Sequence, residues 1–230
     1  MSIARCAFVL SLLAGAAHPA TAQSPFDARR LTPRSDSFAV FMQGRAVGGM
    51  RETIVRTPEG YQLTSAQQMA GMSQTTLVTF SPTLEMRGVK QTGKVRGADM
   101  SIDVTYAKGR AIGSATTPGS QGLKTIAVDA TMVSGAVDDN LLQGLLHTLP
   151  LAAGKTFVVP VFSSGTGTTA SLTITVTGAE TVTVPAGTFD AWKLDISGGQ
   201  VPVQFWVTRK SPRVVKLGFA GAPMSFELVK

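Results

Sequence analysis

Groups that move protons, attack carbonyl carbon or hold metals are scarce in this sequence, and each one present stands where a structural role also explains it. His147 is the one histidine beyond residue 22. Histidine is the commonest general acid or base. This one, however, closes an apolar stripe at helical spacing, where an imidazole meets the negative end of the helix dipole, so capping is the favoured reading. Asp138 and Asp139 are adjacent carboxyls just ahead of the same stripe, a position that suits N-capping better than paired acid and base work. The run Ser163-Ser164-Gly165-Thr166-Gly167-Thr168-Thr169 has the glycines of a phosphate-cradling loop. It lacks the closing Lys-Ser or Lys-Thr and the helix that should follow, and reads as a hairpin loop. No Gly-x-Ser-x-Gly elbow occurs, and Asp190 and Asp195 stand in a strand-like run without a base beside them. The sole cysteine, Cys6, falls in the extreme N-terminal segment, leaving no thiol nucleophile or thiolate ligand further on. The expectation is a protein with no catalytic residue, no metal and no cofactor: not an enzyme.

Apolar recognition is the chemistry that remains. Trp192, Phe205 and Trp206 fall in neighbouring strand-like runs, and Leu142 and Leu145 belong to the helical stripe. These five are the candidate lining of an apolar ligand pocket. The competing reading is core packing, since large aromatics most often fill the interior of a sheet. Met69, Met72, Met86 and Met100 carry the same two readings, methionine being adaptable to irregular ligands and to irregular gaps.

The elements that must position these residues are mostly strands. Short runs rich in Val, Thr, Ile and Phe extend from Ser37 to Gln43, Met50 to Thr57, Tyr61 to Met69, Thr75 to Phe80, Leu84 to Gln91, Met100 to Ala107, Arg110 to Ala115 and Lys124 to Thr131. The rhythm resumes with Lys155 to Phe162, Ser171 to Gly178, Glu180 to Val184, Thr188 to Ile196, Val201 to Thr208, Val214 to Phe219 and Met224 to Val229. A spacing of roughly 8 to 12 residues predicts an antiparallel meander, because parallel strands need long crossovers. One segment differs: Leu141, Leu142, Leu145, Leu146 and Leu149 follow Asp138-Asp139-Asn140 and precede Pro150. That pattern predicts a single short helix, too short to stand alone in water and obliged to dock its stripe on something apolar. The expected fold is mainly β, a curved antiparallel meander shaped as a half-barrel or clam, with the helix on its concave face. Nothing between Ser37 and Lys230 reads as an interdomain linker, so residues 37–230 are expected to form a single domain.

Arg5 precedes an apolar run from Ala7 to Ala17 that ends at Ala20-Thr21-Ala22, the form of a secretory signal peptide cleaved before Gln23. A spanning helix needs roughly 20 apolar residues, more than this run offers. Residues 1–22 are therefore expected to be removed, leaving a periplasmic protein. Residues 23–36, with Pro25, Pro33 and three arginines, show no periodicity and read as a flexible leader. The precursor holds 21 Lys and Arg against 14 Asp and Glu, a net charge of +7, and loss of Arg5 leaves +6. Basic residues gather modestly at Arg29-Arg30-Arg34 and Arg209-Lys210-Arg213, without the basic stripe and interleaved aromatics of a nucleic-acid binder. An anionic envelope surface is the partner that such charge suits.

The second half carries a further signal. Leu149-Pro150-Leu151 and Gly154-Lys155-Thr156-Phe157 follow the leucine stripe. After them come Val184-Pro185-Ala186-Gly187-Thr188-Phe189, then Phe205-Trp206-Val207 with Pro212. This resembles the DUF3108 family of bacterial envelope proteins, whose members are in turn similar to lipoprotein carriers of the LolA and LolB type. The resemblance implies a strongly curved antiparallel sheet around a helical plug, an envelope location and no catalytic motif. The function expected is non-catalytic binding or carriage of an apolar envelope ligand, a lipid or an acylated protein. The alternative is an envelope scaffold or protein-interaction module without a small-molecule ligand.

Overall fold

The structure, a computed structural model, describes residues 24–119 and 122–230. The expected signal segment 1–22 and the cleavage point before Gln23 lie outside the described residues. Fifteen strands form one sheet. In the first half they are β1 (Arg34–Met42), β2 (Arg45–Thr57), β3 (Gly60–Met69), β4 (Met72–Phe80), β5 (Met86–Val95), β6 (Ala98–Ala107), β7 (Arg110–Gly119) and β8 (Gly122–Thr131). The second half holds β9 (Val137–Asp138), β10 (Thr156–Ser163), β11 (Thr168–Val184), β12 (Gly187–Ser197), β13 (Val203–Thr208), β14 (Val214–Phe219) and β15 (Met224–Leu228). The one α-helix among the described residues, α1, is Asp139–Leu145.

The strand order is β8-β7-β6-β5-β4-β3-β2-β1-β15-β14-β13-β12-β11-β10-β9. Two meanders thus meet at the centre, where β1 pairs antiparallel with β15. The chain leaves β8 at one edge and re-enters at the other in β9, and α1 follows between β9 and β10. All pairings are antiparallel except the two-residue contact of β9 with β10. Period-2 burial, as in β6 with Met100, Ile102, Val104 and Tyr106 inward, sets the inner face.

Tight turns keep neighbours adjacent. Gln43-Gly44, Arg96-Gly97 and Lys108-Gly109 are two-residue loops in which both residues have positive φ. That conformation matches the twist of hairpin strands, and its second position here is always glycine, which adopts it without steric penalty. The two runs read at 171–178 and 180–184 are one 17-residue strand, β11, because a bulge between Val176 and Gly178 absorbs the interruption and keeps the pairing with β12.

Residues 24–36, expected as a flexible leader, are docked instead. Phe26 and Leu31 are buried, and the Asp27 side chain accepts from Arg29 N at 3.0 Å to cap a 3-10 turn over Ala28–Arg30. Two apolar anchors on an irregular segment leave no periodicity to detect.

The leucine stripe behaves as expected, although its regular α part is shorter. After Leu145 the chain tightens into a 3-10 turn, Leu146–Thr148, and Leu149 is extended ahead of Pro150. Leu141, Leu145, Leu146 and Leu149 are each at most 2% exposed, and burying a leucine contributes about 1.5–3 kcal/mol. The fit is close at Gly144, where an added Cβ would lie 2.5 Å from Leu63 Cδ1 and 3.4 Å from Ile54 Cδ1. Alanine is the better helix former by up to about 1 kcal/mol, yet overpacking of this kind costs about 1–3 kcal/mol. Gly144→Ala is therefore expected to lower stability, by about 1 kcal/mol net. Urea unfolding checks this, and a raised midpoint would mean that the helix has room to move off the sheet.

The two sheet edges are drawn together without a backbone ladder. Tyr106 OH on β6 donates to Asp138 Oδ2 at 2.5 Å, and its ring packs edge-on against Phe162 of β10, with centroids 5.9 Å apart. Thr117 Oγ1 on β7 donates to the Gly165 carbonyl in the β10–β11 turn at 3.3 Å. The result is an open, strongly curved sheet closed around α1 by side chains.

Candidate functional site

An apolar cleft of about 250 Å³ opens between the first turns of α1 and the inner face of β11–β14. Leu142 forms one wall, and Leu172, Ile196, Phe205, Leu217 and Phe219 form the other. Asp139 and Gln143 stand beside it. The Gln143 Nε2 atom is buried and has no hydrogen-bond partner among the described residues. A buried donor left unpaired costs about 1–3 kcal/mol, so an acceptor brought in by a ligand would relieve it.

The residues singled out from the sequence separate here. Leu142 and Phe205 meet at this cleft. Leu145 is completely buried in the core. Trp206 points away from its neighbour Phe205, onto the opposite face of the sheet. There the ammonium groups of Lys193 and Lys216 lie 5.5 and 5.6 Å from the ring centroid, and the indole N–H donates to Glu180. Trp192 is half-buried, with the Arg209 guanidinium 4.7 Å from its ring centroid, and does not line the cleft. Period-2 alternation assigns Phe205 and Trp206 to opposite faces, and only the register tells which face is inside.

A second cluster lies past the C-terminal end of α1. Asp36, Glu52, Ser65, Thr76 and Gln91 are successive cross-strand partners from β1 to β5, a polar row in a buried face. Asp36 and Glu52 are 2% and 4% exposed. Arg34 Nε lies 2.9 Å from Asp36 Oδ2, Arg34 Nη2 lies 3.7 Å from Glu52 Oε1 and donates to the Gly144 carbonyl at 3.3 Å, and Arg213 Nε donates to Asp36 Oδ1 at 2.7 Å. Desolvation pushes the Glu52 carboxyl up to about 7, with the Asp36 charge adding to the rise and Arg34 opposing it.

His147 joins this cluster instead of capping the helix as a cation. Arg34 Nη1 lies 2.7 Å from its Nδ1. A guanidinium can only donate, so Nδ1 must accept and the ring proton belongs on Nε2. Burial first and Arg34 second hold the imidazole down to about 3, against the smaller opposing pull of the Gly144 and Arg30 carbonyls. The ring is therefore neutral, and its Nε2 is buried without a hydrogen-bond partner among the described residues. Sequence reasoning missed this cluster, although the signal was present: Asp36 and Glu52 share the phase of Phe38 and Val40 and of Met50 and Ile54 in their strands.

Residues 37–225, from β1 into β15, match the model of a family described as "Protein of unknown function (DUF3108)". The chain belongs to DUF3108. The match takes in both meanders, the helical plug, the cleft and most of the polar cluster of this DUF3108 protein. Among solved structures it is similar to a candidate lipoprotein from Parabacteroides distasonis, at 11% identity and a TM-score of 0.32, covering 85% of this chain and 93% of that one. A candidate exported protein with a YmcC-like fold from Bacteroides fragilis matches at 9% identity and a TM-score of 0.29, again covering 85% of this chain and 93% of that one. No curated protein matches the DUF3108 chain.

Proposed function

We propose that this DUF3108 protein is a non-catalytic protein of the bacterial envelope, exported to the periplasm by cleavage before Gln23, that holds one apolar chain of a lipid or acylated protein. The cleft beside Leu142 and Phe205 carries this reading, because apolar walls and one unpaired amide form the usual pattern of a small-ligand site. The likeness to LolA- and LolB-type carriers belongs to the same proposal. Each methylene moved from water into the cleft contributes about 0.8 kcal/mol. Affinity for fatty acids should therefore climb with chain length and level off once the cleft is full, whereas adsorption on an exterior surface would show no plateau. Val203→Trp, which fills the cleft from β13, is expected to weaken fatty-acid binding at least tenfold while leaving the thermal midpoint within a few degrees. Displacement of a fluorescent fatty acid reads the affinity, and native mass spectrometry of the exported protein reads its cargo and its N-terminus. No uptake by the unaltered protein, together with no lipid on organic extraction, would end the carrier reading.

The scaffold alternative rests on β8. Its outer side pairs with no strand among the described residues, and it contains no proline. Such an edge can accept an added strand from another protein. Capture of an envelope partner that is lost when Ala127 is replaced by proline would favour this reading over the cleft.

A further inference from the structure

We propose that a cavity past the C-terminal end of α1 binds a phosphoryl group, at a site separate from the apolar cleft. The two basic clusters of the sequence, far apart along the chain, converge there. Arg30 and Arg34 from the first and Arg213 from the second line one cavity of about 680 Å³ together with His147 and Asp36. Asp36 is the one carboxylate in that lining, and it is turned to Arg34 and Arg213. Three guanidinium groups thus line the cavity with one carboxylate, while Asp27 lies 3.7 Å from Arg30 and Glu52 lies 3.7 Å from Arg34 outside that lining.

The donors that remain are specific. Arg213 uses only Nε, on Asp36, so both of its terminal nitrogens lack a partner among the described residues. Arg30 places Nη1 on the Leu149 carbonyl at 3.3 Å and Nε 3.7 Å from Asp27, which leaves Nη2 over. Their side chains are 35% and 51% exposed, open to an incoming ligand, whereas Arg34 at 13% is committed to the interior. His147 lines the same cavity with a buried Nε2 that makes no hydrogen bond among the described residues. An arginine fork pairs two oxygens of a phosphoryl group side by side, and the third oxygen is free for another donor. A carboxylate has only two oxygens, so it would leave one of these groups unpaired. The shared chemistry is that of a phosphate monoester, whether a free phosphate compound or the head group of a lipid.

Calorimetric titration of the exported protein with inorganic phosphate, and sedimentation with phosphatidylcholine vesicles with and without phosphatidic acid, separates the two sources. Arg30→Gln is expected to weaken binding about tenfold, the usual scale for one charge-assisted hydrogen bond. Arg29→Gln is the control: that side chain is 89% exposed and does not line the cavity. Phosphate binding with this variant pattern assigns the site to a soluble phosphoryl compound. The same pattern with phosphatidic acid vesicles alone assigns it to a lipid head group. Equal losses for Arg29→Gln and Arg30→Gln would mean general surface charge and overturn the site, as would no binding to either probe. Arg213→Gln is expected to match Arg30→Gln, but it strips a partner from buried Asp36, so the half-exposed Arg30 decides the outcome if that variant fails to fold. The cavity and the apolar cleft share no lining residue, so failure here leaves the acyl-chain reading untouched.

Discussion

Asp138→Ala is expected to destabilise the protein by about 3–5 kcal/mol. The Asp138 carboxyl is fully buried and serves three groups. It accepts from Tyr106 OH at 2.5 Å, from the Asn140 backbone N–H at 2.9 Å and from Asn140 Nδ2 at 2.8 Å. The first contact ties β6 to β9, and the second caps α1. Removing the carboxyl leaves a buried phenol and an open helix start at once, and it unfastens the β6 side of the sheet from β9 and β10. Tyr106→Phe deletes only the hydroxyl and leaves both Asn140 contacts in place, so its expected loss is smaller, about 1–2 kcal/mol. Urea unfolding of the two variants beside the parent protein measures both. A loss below about 1 kcal/mol for Asp138→Ala would mean that packing alone closes the sheet around α1.

The second large effect is a pair of opposed pH dependences, each read as a difference from the parent protein. The Glu52 carboxyl rises from 4.5 to about 7 on folding, so between those values the folded state holds the extra proton. Its contribution is present below pH 4.5 and is lost as pH rises through about 7. The His147 imidazole falls from 6.5 to about 3, so between those values the unfolded state holds the extra proton. That contribution is present above pH 6.5 and is lost as pH falls towards 3. Between pH 4.5 and 6.5 these two slopes oppose each other, while the Asp139 carboxyl, raised by burial and by the Asp138 charge, adds a loss with rising pH that both variants below share with the parent. Glu52→Gln should therefore gain stability relative to the parent by about 1.4 kcal/mol per pH unit from pH 4.5 to 7. His147→Gln should lose stability relative to the parent by a similar amount per pH unit from pH 3 to 6.5. Unfolding free energies of parent and variants at a series of pH values give both differences, and differences from the parent that run in the same direction with pH would rule out the assignment. The groups that set these shifts, Arg34, Asp36 and the Gly144 carbonyl, come from β1 and α1, so the pair also reports on the docking of the helix.

Much of this architecture was legible along the chain, because it depends on local pattern. Strand rhythm, the leucine stripe and the cap at Asp138 follow from period-2 alternation, 3.6-residue periodicity and short-range hydrogen bonding, each confined to neighbours in sequence. The docked segment before β1 was not legible, since Phe26 and Leu31 make no repeat. Alternation separates Phe205 from Trp206 but does not say which one faces α1, so the aromatic trio divides in a way that only register decides.

The polar cluster lies between these cases. Asp36 and Glu52 in the apolar phase of β1 and β2 announce buried charge, yet Arg213, which donates to Asp36, and His147, which meets their shared partner Arg34, arrive from remote parts of the chain. That meeting needs β1 to pair with β15 at the centre of the sheet, residues 132–136 to pass from one edge to the other, and the helix that follows β9 to dock inside. Such long-range closure depends on the packing of all fifteen strands around one helix and leaves no periodic trace in the residues it joins. Residue chemistry alone therefore determined a cysteine-poor β protein with one amphipathic helix. The tertiary structure decided that its dispersed arginines face one cavity and that its leucine stripe leaves a cleft at one end.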